Sequence, residues 1–182
     1  ITERNKINKQ LPVLSCSKYE GFVDSLKYFK KKVYSDDTSN YKVIHRDMFG
    51  FPSNHIEEGS IGYQDIYDTG IVSPIYTVFK TKSLICNSFL YKLLKTEHYR
   101  QIFSTYTNAS VDRRGSLRWR EFSKLHIPLP SLEEQQKIAA VLSAADKDIE
   151  LLQQKRDFLM QEKKALMQQL LTGKRRVKIN NA

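Results

Sequence analysis

Residues 127–173, IPLPSLEEQQKIAAVLSAADKDIELLQQKRDFLMQEKKALMQQLLTG, contain no proline or glycine between Pro130 and Gly173. The stretch predicts one long helix. Ser131 can accept a hydrogen bond from the Glu134 backbone N–H while the Glu134 side chain reaches back, a reciprocal cap ahead of an apolar run. Ile138, Leu142, Ala145, Ile149, Leu152, Arg156, Leu159, Lys163, Leu166 and Leu170 follow alternating steps of four and three, and eight of these ten are apolar. That is a heptad seam rather than an ordinary amphipathic stripe. At 1.5 Å per residue the helix is about 60 Å long, more than a domain built from the preceding residues can cover. Burying each seam leucine or isoleucine gives roughly 1.5–3 kcal/mol, so the seam predicts a partner helix. The alternative is that the helix folds back along its own globular part.

Charge hints at the direction of that partner. Residues 132–151 hold five acids against two lysines, and residues 152–171 hold four bases against two acids. An antiparallel pair sets unlike ends together, although simple agreement with the helix dipole accounts for part of the pattern. Arg156 and Lys163 lie on the seam and disfavour a parallel register, in which each would face its own copy.

The 182 residues carry a net charge of +10. Residues 1–127 hold 20 Lys and Arg against 13 Asp and Glu, and the remainder 10 against 7, so most of the excess sits ahead of the long helix. A polyanionic partner follows, nucleic acid first and an acidic membrane second. No basic amphipathic helix with exposed bulky residues stands out there, which argues against the membrane. There is no apolar run near 18 residues and no signal-peptide core, so a soluble, cytoplasmic protein is expected. Ile1, in place of an initiator Met, suggests a fragment or a processed chain. Cys16 and Cys86 are expected to be buried thiols in a reducing compartment rather than a disulfide. The expected organisation is a globular domain over 1–127, the long helix over 128–173 and a basic tail over 174–182.

Within the globular part, residues 11–15 are β-compatible and lead into a polar turn at 17–21 that exposes Lys18 and Tyr19. Residues 23–33 end in Lys30, Lys31 and Lys32, either a solvated loop edge or a set of phosphate contacts. Strand character resumes at 41–44 and 48–52, breaks at Ser53, Asn54 and His55, and returns in a short strand bracketed by Gly59 and Gly62. A metal site on His55 with Glu57 and Glu58 is not expected, because no second histidine or cysteine has ligand spacing. Asn54 and His55 read as loop hydrogen-bonders. Residues 71–79 read as one strong strand with Pro74 at an edge or bulge. Helical spacing follows at 87–94 and 98–106, and then a polar loop over 108–116 carries Arg113 and Arg114, with Arg118, Trp119 and Arg120 close behind. Arginine reads guanine bidentately and also grips phosphate; the plainer alternative pairs one of the two with Asp112.

No nucleotide-binding glycine loop, paired zinc ligands or nucleophile elbow is present. Ser73, Pro74, Ile75, Tyr76 is superficially similar to the Asn-Pro-Pro-Tyr motif of amino-methyltransferases, but serine lacks the amide that would accept from a target amine. No catalytic residue, metal or cofactor is therefore expected in this chain. The rival classes are a stand-alone DNA-modifying enzyme, methyltransferase or nuclease, and an assembly adapter whose basic face meets an acidic protein.

Several stretches resemble the specificity subunit of type I restriction-modification systems: LPVLSCSKYEGFV at 11–23, residues 39–44, Gly59 to Gly62, IVSPIYTVF at 71–79, and above all 127–173 with its IPLPSLEEQQKIA lead-in and LLTGKRR ending. The resemblance covers nearly the whole chain. It implies an α+β target-recognition domain with a curved mixed sheet and flanking helices, followed by one coiled-coil spacer helix. Full subunits of the family carry two such domains, held apart by an antiparallel pair of spacer helices, each domain reading half of a split site in double-stranded DNA. Methyltransferase subunits dock on the spacers and use S-adenosylmethionine, and restriction subunits join them. With one domain and one spacer, this chain resembles the C-terminal half of a subunit or a halved one; residues 1–10 lack the lead-in strand such domains usually have. The expected base readers are Lys18, Tyr19, Asn54, His55, Arg113 and Arg114, and the expected phosphate contacts Lys30, Lys31, Lys32 and Arg118. The expected pairing surface, with a second copy or a second specificity half, is Ile138, Leu142, Ala145, Ile149, Leu152, Leu159, Leu166 and Leu170.

Overall fold

Two short strands, β1 (Leu14–Ser17) and β2 (Gly21–Asp24), pair antiparallel across a turn in which the Ser17 hydroxyl accepts from the N–H groups of Tyr19 and Glu20, each at 3.3 Å. Gly21 closes that turn at φ +75°, and a Cβ there would lie 2.2 Å from the Tyr91 hydroxyl, so only glycine fits. The computed structural model describes residues 1–108 and 116–178. Asp24 caps a one-turn helix, α1 (Ser25–Phe29), by accepting from the Lys27 N–H at 3.0 Å.

β3 (Lys42–His45) pairs antiparallel with β6 (Thr69–Val72), while β4 (Phe49–Pro52) lies between β5 (Gly62–Tyr63) and β7 (Tyr76–Phe79). A parallel bridge from Val13 to Ile71 joins the first hairpin to β6. The stretch read as one strand over 71–79 is thus two, with different partners. Pro74 has no N–H to give a ladder, and the chain turns at Ser73, whose carbonyl accepts from the Tyr76 N–H at 3.0 Å. Within residues 1–10, expected to lack a lead-in strand, the stretch 3–5 lies along the free edge of β3 and forms a single bridge from Arg4 to Lys42. The Asn5 N–H donates to Tyr41 O and the Val43 N–H to Glu3 O, both at 3.0 Å. Buried Asn5 ties down the segment through its side chain, which reaches Lys9 O at 2.9 Å and Thr38 Oγ1 at 3.2 Å.

The hairpin seats on β4 and β5 through one ring. Phe22 lies across the paired glycines Gly50 and Gly62, and a Cβ at Gly62 would fall 2.6 Å from its Cδ2. Beyond β4, the helices α2 (Asn87–Leu94), α3 (Glu97–Asn108) and α4 (Trp119–Phe122) bury Leu90, Leu94, Phe103 and Phe122 against Phe49, Phe51 and Phe79. Buried Gln135 finishes this unit: its Oε1 accepts from the Cys86 N–H at 2.9 Å and its Nε2 donates to Leu84 O and Pro130 O.

Gln135 belongs to α5 (Leu132–Leu171), a helix of 40 residues. Ser131 Oγ accepts from the Glu134 N–H at 3.3 Å, one half of the expected reciprocal cap, and Gly173 at φ +74° with the Arg175 N–H on Gln169 O closes the far end. The chain divides into two compact units, residues 1–136 and 137–182. In the second, Ile138 is half-buried, and Leu142, Ala145, Ile149, Leu152, Leu159, Leu166 and Leu170 are all exposed. No described helix is long and apolar enough to cross a membrane.

Candidate nucleic-acid interface

The turn between β1 and β2 presents two of the expected readers. Tyr19 is 80% exposed, and Lys18 Nζ sits 5.4 Å from the centre of its ring. A tyrosine this free on a tight turn is available for stacking or for a hydroxyl contact. The second loop follows β4. Ser53 anchors it by donating from its N–H and its Oγ to Ile75 O, at 3.4 and 3.1 Å, and a short 3-10 turn (Ile56–Glu58) ends it at Gly59, φ +90°. Between them Asn54 is half-buried, and His55 is exposed with its Nδ1 3.3 Å from Glu58 Oε1. His55, Glu57 and Glu58 each bring one ligand-type atom within 4.8 Å of the others, close enough to hold a cation in principle. The same carboxylates can also accept from the exocyclic amine of cytosine.

Two hydrogen-bond systems gather these loops at one edge of the sheets. Lys95, just past α2, donates from Nζ to Lys18 O at 2.5 Å and to Gly59 O at 3.0 Å, so the hairpin tip and the end of the 3-10 turn share one ammonium. Burial pulls the Lys95 pKa below its ordinary value, partly offset by the neighbouring Cys16. The Leu117 N–H donates to Ser53 O at 2.9 Å and brings the chain segment that follows Arg113 and Arg114 to the same edge. Those two arginines lie outside the described residues. Arg118, next in line, is exposed at the start of α4, and Trp119 beside it is 48% exposed with its ring 5.4 Å from Phe79. Nearby, Arg100 grips Glu97 through two bonds and holds that carboxyl below its usual range, with Lys18 adding a smaller pull.

Lys30, Lys31 and Lys32 follow α1, which leaves the end of β2 opposite the Lys18–Tyr19 turn, and no described hydrogen bond ties them to the loops that Lys95 joins. Lys32 pairs with Asp36 and lies 5.4 Å from the Tyr34 ring centre. Lys30 occupies the left-handed region at φ +54° and is exposed with Lys31, in a segment that also exposes Leu26, Tyr28, Phe29 and Val33. Lys27 is held against Tyr67 Oη at 3.0 Å, and that hydroxyl donates to Asp24 at 2.8 Å.

Sequence reasoning passed over Lys95, because a lysine at a helix end is the commonest of surface residues and its two carbonyl partners are 77 and 36 positions away. It also passed over the flank of the long helix. Leu151 and Phe158, seven residues apart and just beside the seam, are 53% and 67% exposed. The cysteines are half-buried free thiols; burial pushes the Cys16 pKa up to about 12, the nearby Lys95 opposing it, which makes Cys16 unreactive at neutral pH.

Comparison with known proteins gives one family. The model of the type I restriction modification DNA specificity domain matches residues 4–161. Two proteins of Methanocaldococcus jannaschii are similar: the type I restriction enzyme MjaVIII specificity subunit, 34% identical over 101 residues, 56% of this chain and 23% of that protein, and the putative type I restriction enzyme MjaX specificity subunit, 44% identical over 59 residues, 32% of this chain and 14% of that protein. Among solved structures, the HsdS subunit from Thermoanaerobacter tengcongensis superposes with a TM-score of 0.54 at 23% identity, over 70% of this chain and 33% of that one. A chain from a structure described as the basis of complex assembly and conformational transition of the type I R-M system gives 0.54 at 18% identity, over 92% and 40%. The solved structures share the fold, and the matched stretches span well under half the length of each relative.

Proposed function

We propose that this chain, which belongs to the type I restriction modification DNA specificity family, is the part of a specificity subunit that reads one half of a bipartite site in double-stranded DNA and carries the methyltransferase subunits on its long helix. The observation that carries the reading is the convergence, through Lys95 and through the Leu117–Ser53 bond, of the Lys18–Tyr19 turn, the Asn54–His55 loop and the segment after Arg113 and Arg114 on one edge of a basic unit. Several polar loops gathered on one scaffold edge suit base readout, with Lys30, Lys31, Lys32 and Arg118 as phosphate contacts that position the duplex. The chain is non-catalytic on this reading. Methyl transfer from S-adenosylmethionine belongs to the partner subunit, and the restriction subunit joins through the complex.

The exposed seam of α5 supports an antiparallel pairing with a second copy or a second specificity half. Leu151 and Phe158, exposed beside that seam, leave a flank for a further helix, which suits docking of the methyltransferase. If two copies pair antiparallel, a two-fold axis crosses the rod and identical domains read identical half-sites, so the target is an interrupted palindrome. A rod of about 60 Å corresponds to roughly 18 base pairs, which bounds the interruption from above. Selecting bound DNA from a random pool, with the methyltransferase partner present, tests the reading and should return such a split motif. An asymmetric split motif would remove the symmetric dimer and assign the second half to a different domain; a pool left without any motif would remove sequence readout altogether.

A further inference from the structure

Among the described residues, Lys95 is an ammonium with no carboxylate partner. Among the described residues its Nζ bonds only to two main-chain oxygens, Lys18 O and Gly59 O, and it is intermediate in exposure with its pKa pulled down mainly by burial. Desolvating a positive charge to satisfy two neutral carbonyls is an expensive way to hold a fold together, since an apolar side chain packed at a helix end costs nothing of the kind. What the charge achieves is geometric. The two oxygens belong to the hairpin turn that carries Lys18 and Tyr19 and to the last residue of the loop that carries Asn54 and His55. Both bonds converge on one nitrogen, so neither turn can move outward alone without breaking a charge-assisted bond. The rest of each loop is held locally, by Ser17 Oγ in one case and by Ser53 on Ile75 O in the other.

We infer that Lys95 is a positioning residue for base readout, fixing the distance between two reading loops that have no other described side-chain tie to each other. The inference rests on the proposed half-site reading. It predicts a coupling that a local contact cannot give: losing Lys95 disturbs the base positions read by both loops together, whereas altering a reader disturbs its own positions alone.

The test uses the full chain with its methyltransferase partner and repeats the random-pool selection for the parent, Lys95→Met, Lys95→Arg, Tyr19→Ala and His55→Ala. Lys95→Met should flatten both the set of positions that Tyr19→Ala flattens and the set that His55→Ala flattens. It should also lower the ratio of selected-site to scrambled-site affinity at least tenfold, with scrambled-site affinity within about threefold of the parent. Lys95→Arg, which can still donate to both carbonyls, should restore most of the ratio. A Lys95→Met variant with the parent's motif and ratio overturns the inference while leaving the half-site reading intact. A parent that selects no motif overturns that reading and the inference with it. Should Lys95→Met melt far below the parent, Lys95→Gln, which keeps polar N–H donors but is one bond shorter and carries no charge, carries the test: an unchanged motif overturns the inference, and joint loss at both sets of positions supports it.

Discussion

Replacing Gly62 with alanine probes the joint between hairpin and sheet. The new Cβ would sit 2.6 and 2.8 Å from Phe22 Cδ2 and Cγ and 2.9 Å from the Phe22 backbone nitrogen. The Phe22 ring is 5% exposed and stacked on Tyr76 at 6.4 Å, so it cannot swing clear, and the third atom is main chain. Overpacking of this kind costs about 1–3 kcal/mol, while loss of glycine's freedom in the unfolded chain returns about 0.4–1 kcal/mol. The net expectation is a destabilisation of about 1–2 kcal/mol, or a fall in Tm of roughly 3–8 °C for a unit of this size. Thermal and urea unfolding followed by circular dichroism would measure it. A second variant makes the cause explicit: Phe22→Ala alone should cost about 3–5 kcal/mol, but in that background Gly62→Ala should cost at least about 1 kcal/mol less than it does in the parent. Additive costs, or a Gly62→Ala protein that melts with the parent, would refute the claim that one ring against two facing glycines sets this joint. Base preference of the folded variant should be unchanged, since Gly62 belongs to the scaffold.

Lys30→Gly relieves a left-handed residue at the end of α1 and should leave stability equal or raise it by up to about 1 kcal/mol, while DNA affinity falls and the salt slope drops by about one unit; weaker folding would count against the backbone relief, and unaltered binding against the phosphate role. Asp at both Leu152 and Leu159 should convert an assembled chain to monomers with residues 1–136 still folded, as read by sedimentation and circular dichroism, and a parent already monomeric at tens of micromolar would remove the homodimer. Cys16 should resist alkylation at pH 8 in the folded protein and react once urea unfolds it. Because its thiol is raised from 9.0 to about 12 by burial, the folded state holds that proton longer than the unfolded one, so stability should decline as pH climbs from about 9 towards 12; rapid labelling at pH 8 in the native state would contradict the burial.

The local and the periodic were legible in the chain itself. The 40-residue helix, its cap at Ser131, its stop at Gly173 and the helix at Asn87–Leu94 follow from residue spacing, because helical hydrogen bonds and heptad faces span only three to seven positions. The turn at Gly21 and the polar loops were legible for the same reason. Splitting residues 71–79 into two strands was not, since β6 and β7 are defined by their partners β3 and β4 rather than by their own composition. Nor was the edge pairing of residues 3–5, or the 3-10 turn at Ile56–Glu58. Candidate readers could be named one by one from loop chemistry, but spacing along the chain says nothing of distance in space. Only the packed structure joins residue 18 to residue 59 through Lys95 and ties residue 117 to residue 53. Such contacts span tens of positions and depend on how strands pair and side chains fill the core, which pattern alone leaves undetermined.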